Sequence, residues 1–512
     1  MAHRGDRGDG SRRSRQHRLP QRAGEGEGCR HGEAGARAEI PGHVCQPIQG
    51  RRARLRRRGD PSGGYAAAAL PRAADAAEQA TGRAAAQARE HSALKRDLTL
   101  VDAIGIGVNG IVGSGIYLLV APLARVGGGS SVAGVLGCGA LCVLIALCFA
   151  ELSSMYDRSG GPYVYAADAF GHYVGFAVGW LGMATGVLGL AAVSVGFAAA
   201  LGRFIPAAAT ARAPIAVAVI VALGIINWRG VKQGGRTSTA LSVVKIVPLV
   251  VVALAGLRFA PRAPLALVPS DAISAAFLSI FMMSGFEYAA VPAGEVRDAR
   301  RTVPLAVVGS ICGASLLYAL LQLAALGALP NVASREQPLP DVAARALGSW
   351  AGPVIGVTAL FSMLGFCAGV ALVAPRYFTA MAEDGHLPRA LTRLSPRGTP
   401  AAAICASTAF AAALAIVLGY ASLVDVSNVV ILSGYALSCL AALTLRLRRP
   451  DAPRRYRPPW FVPVLALAAA VALLVSARPR AAEWTFAVLL LASGFFCRTA
   501  TALARRWLGP RP

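Results

Sequence analysis

Gly105-Ile106-Gly107-Val108-Asn109-Gly110-Ile111-Val112-Gly113-Ser114-Gly115-Ile116 sits inside an otherwise unbroken apolar run, residues 101–124. Glycine disfavours helix by about 1 kcal/mol per residue relative to alanine. Clustered at mid-run depth, these glycines predict unwound backbone. Free amides and carbonyls at that depth are tolerated only where they line a cavity. A second interruption, Met282-Met283-Ser284-Gly285-Phe286-Glu287-Tyr288 followed by Pro292 and Gly294, falls in the sixth apolar run. The competing reading of one such run is close helix packing through small residues. Two interrupted spans five apart favour an inverted repeat.

The rest of the chain supports a membrane protein. Of its 512 residues 55% are hydrophobic and 15% charged, and the mean hydropathy is +0.53. Runs of about 18 or more apolar residues read as spans, and helices alone satisfy their backbone in hydrocarbon at this composition. The runs are 101–124, 131–155, 172–200, 213–228, 237–257, 272–294, 303–329, 351–379, 400–418, 423–445, 459–475 and 482–502. The expected fold is therefore an all-α membrane protein of about twelve transmembrane helices, with helices one and six broken and short loops between spans.

Residues 1–95 carry no apolar periodicity and too little branched-apolar content to offset their ordering entropy, so a disordered basic tail is expected there. It holds no signal-peptide core. No Met occurs between Met1 and Met155, and part of this tail is expected to be untranslated. Cys29-x-His31 and His43-x-Cys45 have metal-ligand spacing but read as chance in a biased segment. No metal or cofactor is expected. Cys138, Cys142, Cys148, Cys312, Cys367, Cys405 and Cys439 lie in apolar runs, where they act as small hydrophobes.

Net charge is +25, yet no aromatic-basic patch accompanies it, which excludes nucleic acid as a partner. With the N-terminus inside, inner loops and the C-terminal tail hold 21 basic residues and outer loops 9. That bias places both termini in the cytoplasm.

The two breaks define an amphoteric site. Amides at Gly113-Ser114-Gly115, opening the outer half-helix, suit a carboxylate. Carbonyls freed near Val108, Ile111 and Ser284 suit an ammonium. Lys245 lies in span five, eight residues past Thr237 and so about 12 Å deep in a core about 30 Å thick. The chain has three lysines, Lys95, Lys232 and Lys245, against 48 arginines. An ionisable group at that depth is functional by default, and Lys can lose its proton where Arg cannot. Lys245 is expected to titrate, or otherwise to brace spans one and eight as a fixed charge. Glu287, the second intramembrane charge, could sense pH, pair with a cationic substrate, or anchor the sixth-span break. Glu151 and Glu295 read as braces at span ends. Asp102 suits a helix N-terminus. No HExxH, Gly-x-Ser-x-Gly with a buried His or paired intramembrane aspartates point to an enzyme, and no filter motif points to a channel.

Val108–Ile116 resembles the first-helix break of the amino acid–polyamine–organocation transporter superfamily. Four further stretches resemble it in the same order. They are Glu151-Leu152 with Ser159–Tyr163 and Gly179-Trp180; Gly285–Glu287 with Glu295–Pro304; Arg376-Tyr377 with Met381–Pro388; and Gly398–Pro400. Asp157 stands where that family usually has Pro, and Pro375 precedes Arg376 where a helix would continue. The resemblance covers about residues 97–502. It implies a leucine-transporter-like 5+5 inverted repeat, with a transporter domain over 96–502 (repeats 101–257 and 272–445, accessory helices 459–502) and a cytoplasmic tail 503–512. It also implies alternating access for an amino acid or amine across the cytoplasmic membrane. Proton-coupled symport and amino acid/polyamine exchange both follow, and some proton-coupled relatives carry a span-five lysine in place of sodium. Span eight, Gly365–Ala374, lacks the paired hydroxyls of a sodium site. The expected substrate-binding residues are Val108, Ile111, Gly113, Ser114, Gly115, Phe281 (matching an aromatic lid), Ser284, Gly285 and Phe286. Lys245 and Glu287 are the expected ion-coupling pair. Oligomeric state is not legible.

Overall fold

In a computed structural model of the chain, the described residues are 98–156, 160–230, 235–261, 265–290 and 296–508. The expectations for the tail 1–95, its Cys/His pairs, Asp157, Ser159, Lys232, Pro292, Gly294 and Glu295 lie outside them.

Helix α1 is Leu100–Ile111. Its start is fixed by a capping box: Asp102 N donates to the Thr99 hydroxyl, and Thr99 N and Oγ1 donate to the Asp102 carboxylate. The helix ends where the sequence predicts a break, and its continuation is α2, Gly115–Leu118, and α3, Val120–Gly127. Then follow α4 Ser131–Met155, α5 Pro162–Phe170, α6 His172–Leu201, α7 Pro206–Thr210, α8 Arg212–Trp228 and α9 Gly235–Gly256. Helix α10, Pro269–Met283, stops at the second break and gives way to a 3-10 turn, Phe286–Ala290. The second half comprises α11 Ala299–Ala328, α12 Pro338–Leu347, α13 Ala351–Glu383, α14 Ala401–Val417 and α15 Tyr420–Arg448. Helices α16 Phe461–Ser476 and α17 Ala481–Leu508 close the chain.

Helix occupies every predicted run. Nine helical stretches among the described residues are long and apolar enough to cross a membrane, while α8, α14 and α16 are shorter apolar helices of 17, 17 and 16 residues. At 1.5 Å per residue these three reach about 25 Å, short of a core about 30 Å thick. Three connections that read as plain loops contain helices, α5, α7 and α12. Helix α17 continues past residue 502 to Leu508, because no breaker precedes Gly509-Pro510.

Packing separates inner from outer helices. The apolar window of α6 is 78% buried and that of α17 only 17%, so α6 is a central pillar and α17 a peripheral helix. Helix α6 packs on α13 and α15, α4 on α10 and α11, and α1 on α9 and α11.

Pro375 does not stop α13. Proline has no N–H to give the carbonyl four residues back. That carbonyl, on Ala371, instead accepts a 2.7 Å hydrogen bond from Asn227 Nδ2 of α8. A neighbouring helix thus replaces the missing donor.

Candidate functional site

The two breaks touch through bare backbone. Gly285 has φ +109°, and a Cβ there would lie 2.2 Å from the Gly110 carbonyl oxygen. Reciprocally, a Cβ on Gly110 would lie 2.5 Å from the Gly285 oxygen. Only glycine fits either position. One turn further out, a Cβ on Gly115 would meet Met282 Cβ at 2.3 Å. The two readings of the glycine clusters are therefore compatible: the helices break and pack closely in the same place.

Most backbone carbonyls at the first break already have partners. Val108 O accepts from Val112 N at 2.9 Å, and Ile111 O from Gly113 N at 3.0 Å and Tyr318 OH at 3.2 Å. Val112 O accepts from Lys245 Nζ at 3.1 Å and Ser362 Oγ at 3.0 Å. Ser362 also reaches Gly113 O at 3.3 Å. Lys245, 1% exposed, donates in addition to Asn109 Oδ1, and Asn109 Nδ2 donates to Gly365 O at 3.3 Å. One buried ammonium thereby ties α9, the end of α1 and α13 together. The sequence singled out Lys245 but missed Asn109 and Ser362. Asn109 sits in a glycine run that reads as backbone, and Ser362 lies three residues before the stretch of α13 weighed for hydroxyls.

Beside the breaks lies a small cavity. Of the predicted residues, Ile111, Gly113, Ser114, Gly115, Phe281 and Ser284 line it. Thr185, Gly189, Val193, Tyr288, Phe366 and Ile431 complete the wall and were not predicted. Phe281 meets Tyr420 edge to face at 6.4 Å, and Tyr420 OH lies 3.3 Å from Ser114 Oγ, so the side nearest α2 is covered.

Three predicted residues stand apart from this wall. Val108 O is spent inside the first helix. Phe286 packs against Phe149 and Tyr435, with centroids 5.9 and 5.4 Å away. Gly285 gives its amide to Glu287 Oε2 at 2.9 Å.

Glu287 borders a second, somewhat larger cavity, which shares Thr185, Tyr288 and Ile431 with the first. Its Oε2 also accepts from Tyr435 OH at 2.8 Å. Of the three roles open to Glu287, anchoring the break is the one that these two bonds perform.

Beyond the second cavity the bundle end is closed by polar contacts. Tyr163 OH donates to Asp384 at 2.5 Å. Glu151, 1% exposed, accepts two bonds from Arg446 Nε and one from Nη2, between 2.6 and 3.0 Å, with Arg454 Nε 3.2 Å away. Leu98 pairs with Val296 as a short parallel bridge, its carbonyl accepting from Arg297 N at 2.9 Å.

A multi-pass helical bundle with two apposed broken helices around a central cavity is the architecture of a secondary transporter. The fold matches that of a solved structure, MhsT in complex with L-phenylalanine, with a TM-score of 0.53 and 16% identity, over 74% of this chain and 98% of that one. Residues 98–495 match the amino acid permease family, and the chain belongs to it. An uncharacterized transporter of Mycobacterium tuberculosis is 31% identical over 375 residues, 71% of this chain and 83% of the relative. The branched-chain amino acid permease BcaP of Bacillus subtilis is 27% identical over 73% of this chain and 85% of its own length. The vacuolar cationic amino acid transporter 4 of Arabidopsis thaliana is 26% identical over 70% and 64%.

Proposed function

We propose that this chain moves a neutral amino acid across the cytoplasmic membrane by alternating access, with Lys245 in place of a coupling cation. The observation that carries the reading is the apposition of the breaks at Gly110 and Gly285 beside the cavity that Ser114, Phe281 and Ser284 line. The first-turn amides after Ser114 carry partial positive charge for a carboxylate, and the Ser284 region supplies carbonyls for an ammonium. Ile111, Val193, Phe281, Phe366 and Ile431 make the remaining wall apolar, which suits an uncharged side chain. Glu287 is engaged by Gly285 and Tyr435 and borders the other chamber, which weighs against a cationic cargo. The branched-chain substrate in the name of BcaP agrees with this lining. Residues 101–257 and 272–445 form the two repeats, and both termini face the cytoplasm.

Lys245 drives the coupling by losing its proton and loosening its hold on Asn109 and Val112, which weakens the tie between α9 and the end of α1. The test is uptake of labelled leucine, phenylalanine and arginine into proteoliposomes with and without an imposed proton gradient. Wild type is expected to concentrate a neutral amino acid when the gradient is imposed. Lys245→Ala is expected to lose that response while retaining counterflow. Gradient-driven uptake surviving in Lys245→Ala removes the coupling role. Uptake that requires internal amino acid, gradient or not, makes the protein an exchanger.

A further inference from the structure

At the bundle end where α6 begins and α13 and α17 finish, four basic side chains converge. Arg498 lays its guanidinium over the Tyr173 ring, 3.8 Å from the centroid, with Phe176 5.4 Å away. It also reaches His172 O at 3.5 Å. Arg505 donates to Gly385 O at 2.7 Å and Leu387 O at 3.1 Å, capping the turn after α13. The rings of His172 and His386 stand 5.8 Å apart between them. His386 Nε2 is buried and has no hydrogen-bond partner. Among the described residues neither guanidinium meets a carboxylate within 4.0 Å. Asp384 is the one acidic group acting on His386, and its Oδ2 accepts the Tyr163 hydroxyl.

The notch therefore holds two permanent positive charges and two titratable ones against one engaged carboxylate. Burial first, and then the charge of Arg498, hold His386 below its ordinary pKa, with Asp384 opposing. That is the electrostatics of a site short of an anion. Its position says which anion. The three candidate spans ending here, His172–Leu201, Ala351–Glu383 and Ala481–Arg505, place the notch at a bilayer surface. Tyr173 is 70% exposed, as suits an interfacial aromatic, and the apolar face of α17 carrying Leu489, Phe496 and Leu503 is open to lipid tails. Basic pockets between helix ends at such a surface take anionic head groups.

We propose that this notch binds the phosphate of an anionic phospholipid, held by Arg498 and Arg505 with His386 donating from below. The test uses the full chain purified in mild detergent. Thermal unfolding is followed after adding phosphatidylglycerol, phosphatidylcholine or inorganic phosphate, and native mass spectrometry counts retained lipids. Phosphatidylglycerol is expected to raise the midpoint by about 2–4 °C, and phosphatidylcholine to leave it unchanged. Arg498→Gln with Arg505→Gln is expected to lose the rise. Equal effects of the two lipids, a rise that persists in the double variant, or the same rise from inorganic phosphate alone each overturn the proposal. Should the double variant not fold, retention decides on wild type: preferential retention of phosphatidylglycerol supports the site, and equal retention overturns it.

Discussion

At the scale of single residues, the close approach of the two breaks depends on an atom that glycine lacks. Gly285→Ala would put a methyl group 2.2 Å from the Gly110 oxygen at a φ of +109°. The expected result is a protein destabilised by at least about 2 kcal/mol, with uptake reduced more than tenfold. Thermal unfolding and proteoliposome flux measure both, and wild-type flux would contradict the close approach. How far such residues can be read in advance depends on what surrounds them in the chain. Lys245 was legible because an ammonium inside an apolar run has no bland local explanation. Gly113 to Gly115 were legible because glycine acts on its own backbone. Thr185, Tyr288, Phe366 and Ile431 were not, since each is an ordinary residue of its own segment and becomes a wall only through packing. Asn109 gains its meaning from a lysine 136 positions away.

Among elements, the instructive case is α13. A proline at position 375 reads locally as an interruption, yet the helix runs on because Asn227 of α8 donates to Ala371 O. Asn227→Ala is expected to cost about 1–3 kcal/mol by leaving a carbonyl unpartnered. In a Pro375→Ala background the helix supplies its own amide, and the same change should cost well under half as much. A double-mutant cycle of unfolding free energies measures the difference, and strict additivity would show that the two residues are independent. The spanning helices were legible, because long apolar runs leave no other backbone solution in lipid. Connecting helices and helix ends were less so: α5, α7 and α12 read as loops, and α17 outlasts its apolar stretch, because no residue there forbids one more turn.

For the whole molecule, the buried cluster at Glu151 joins three distant parts: α4, the end of α15, and the segment whose Pro458 and Pro459 carbonyls also accept from Arg446. Arg446→Ala leaves a buried carboxylate facing Arg454 alone and is expected to cost about 3–5 kcal/mol. Replacing Glu151 and Arg446 together by apolar residues of similar volume should restore most of that stability. Thermal midpoints of the wild type and the two variants decide, and a harmless Arg446→Ala would reduce the cluster to a surface pair. The contact of Gly110 with Gly285 has a different reach. Where two chains meet as naked peptide, nothing about the joint depends on which side chains surround it. On the proposed reading, mutations can therefore reshape Thr185, Phe366 or Ile431 and retune the cargo across generations while the joint itself stays the same.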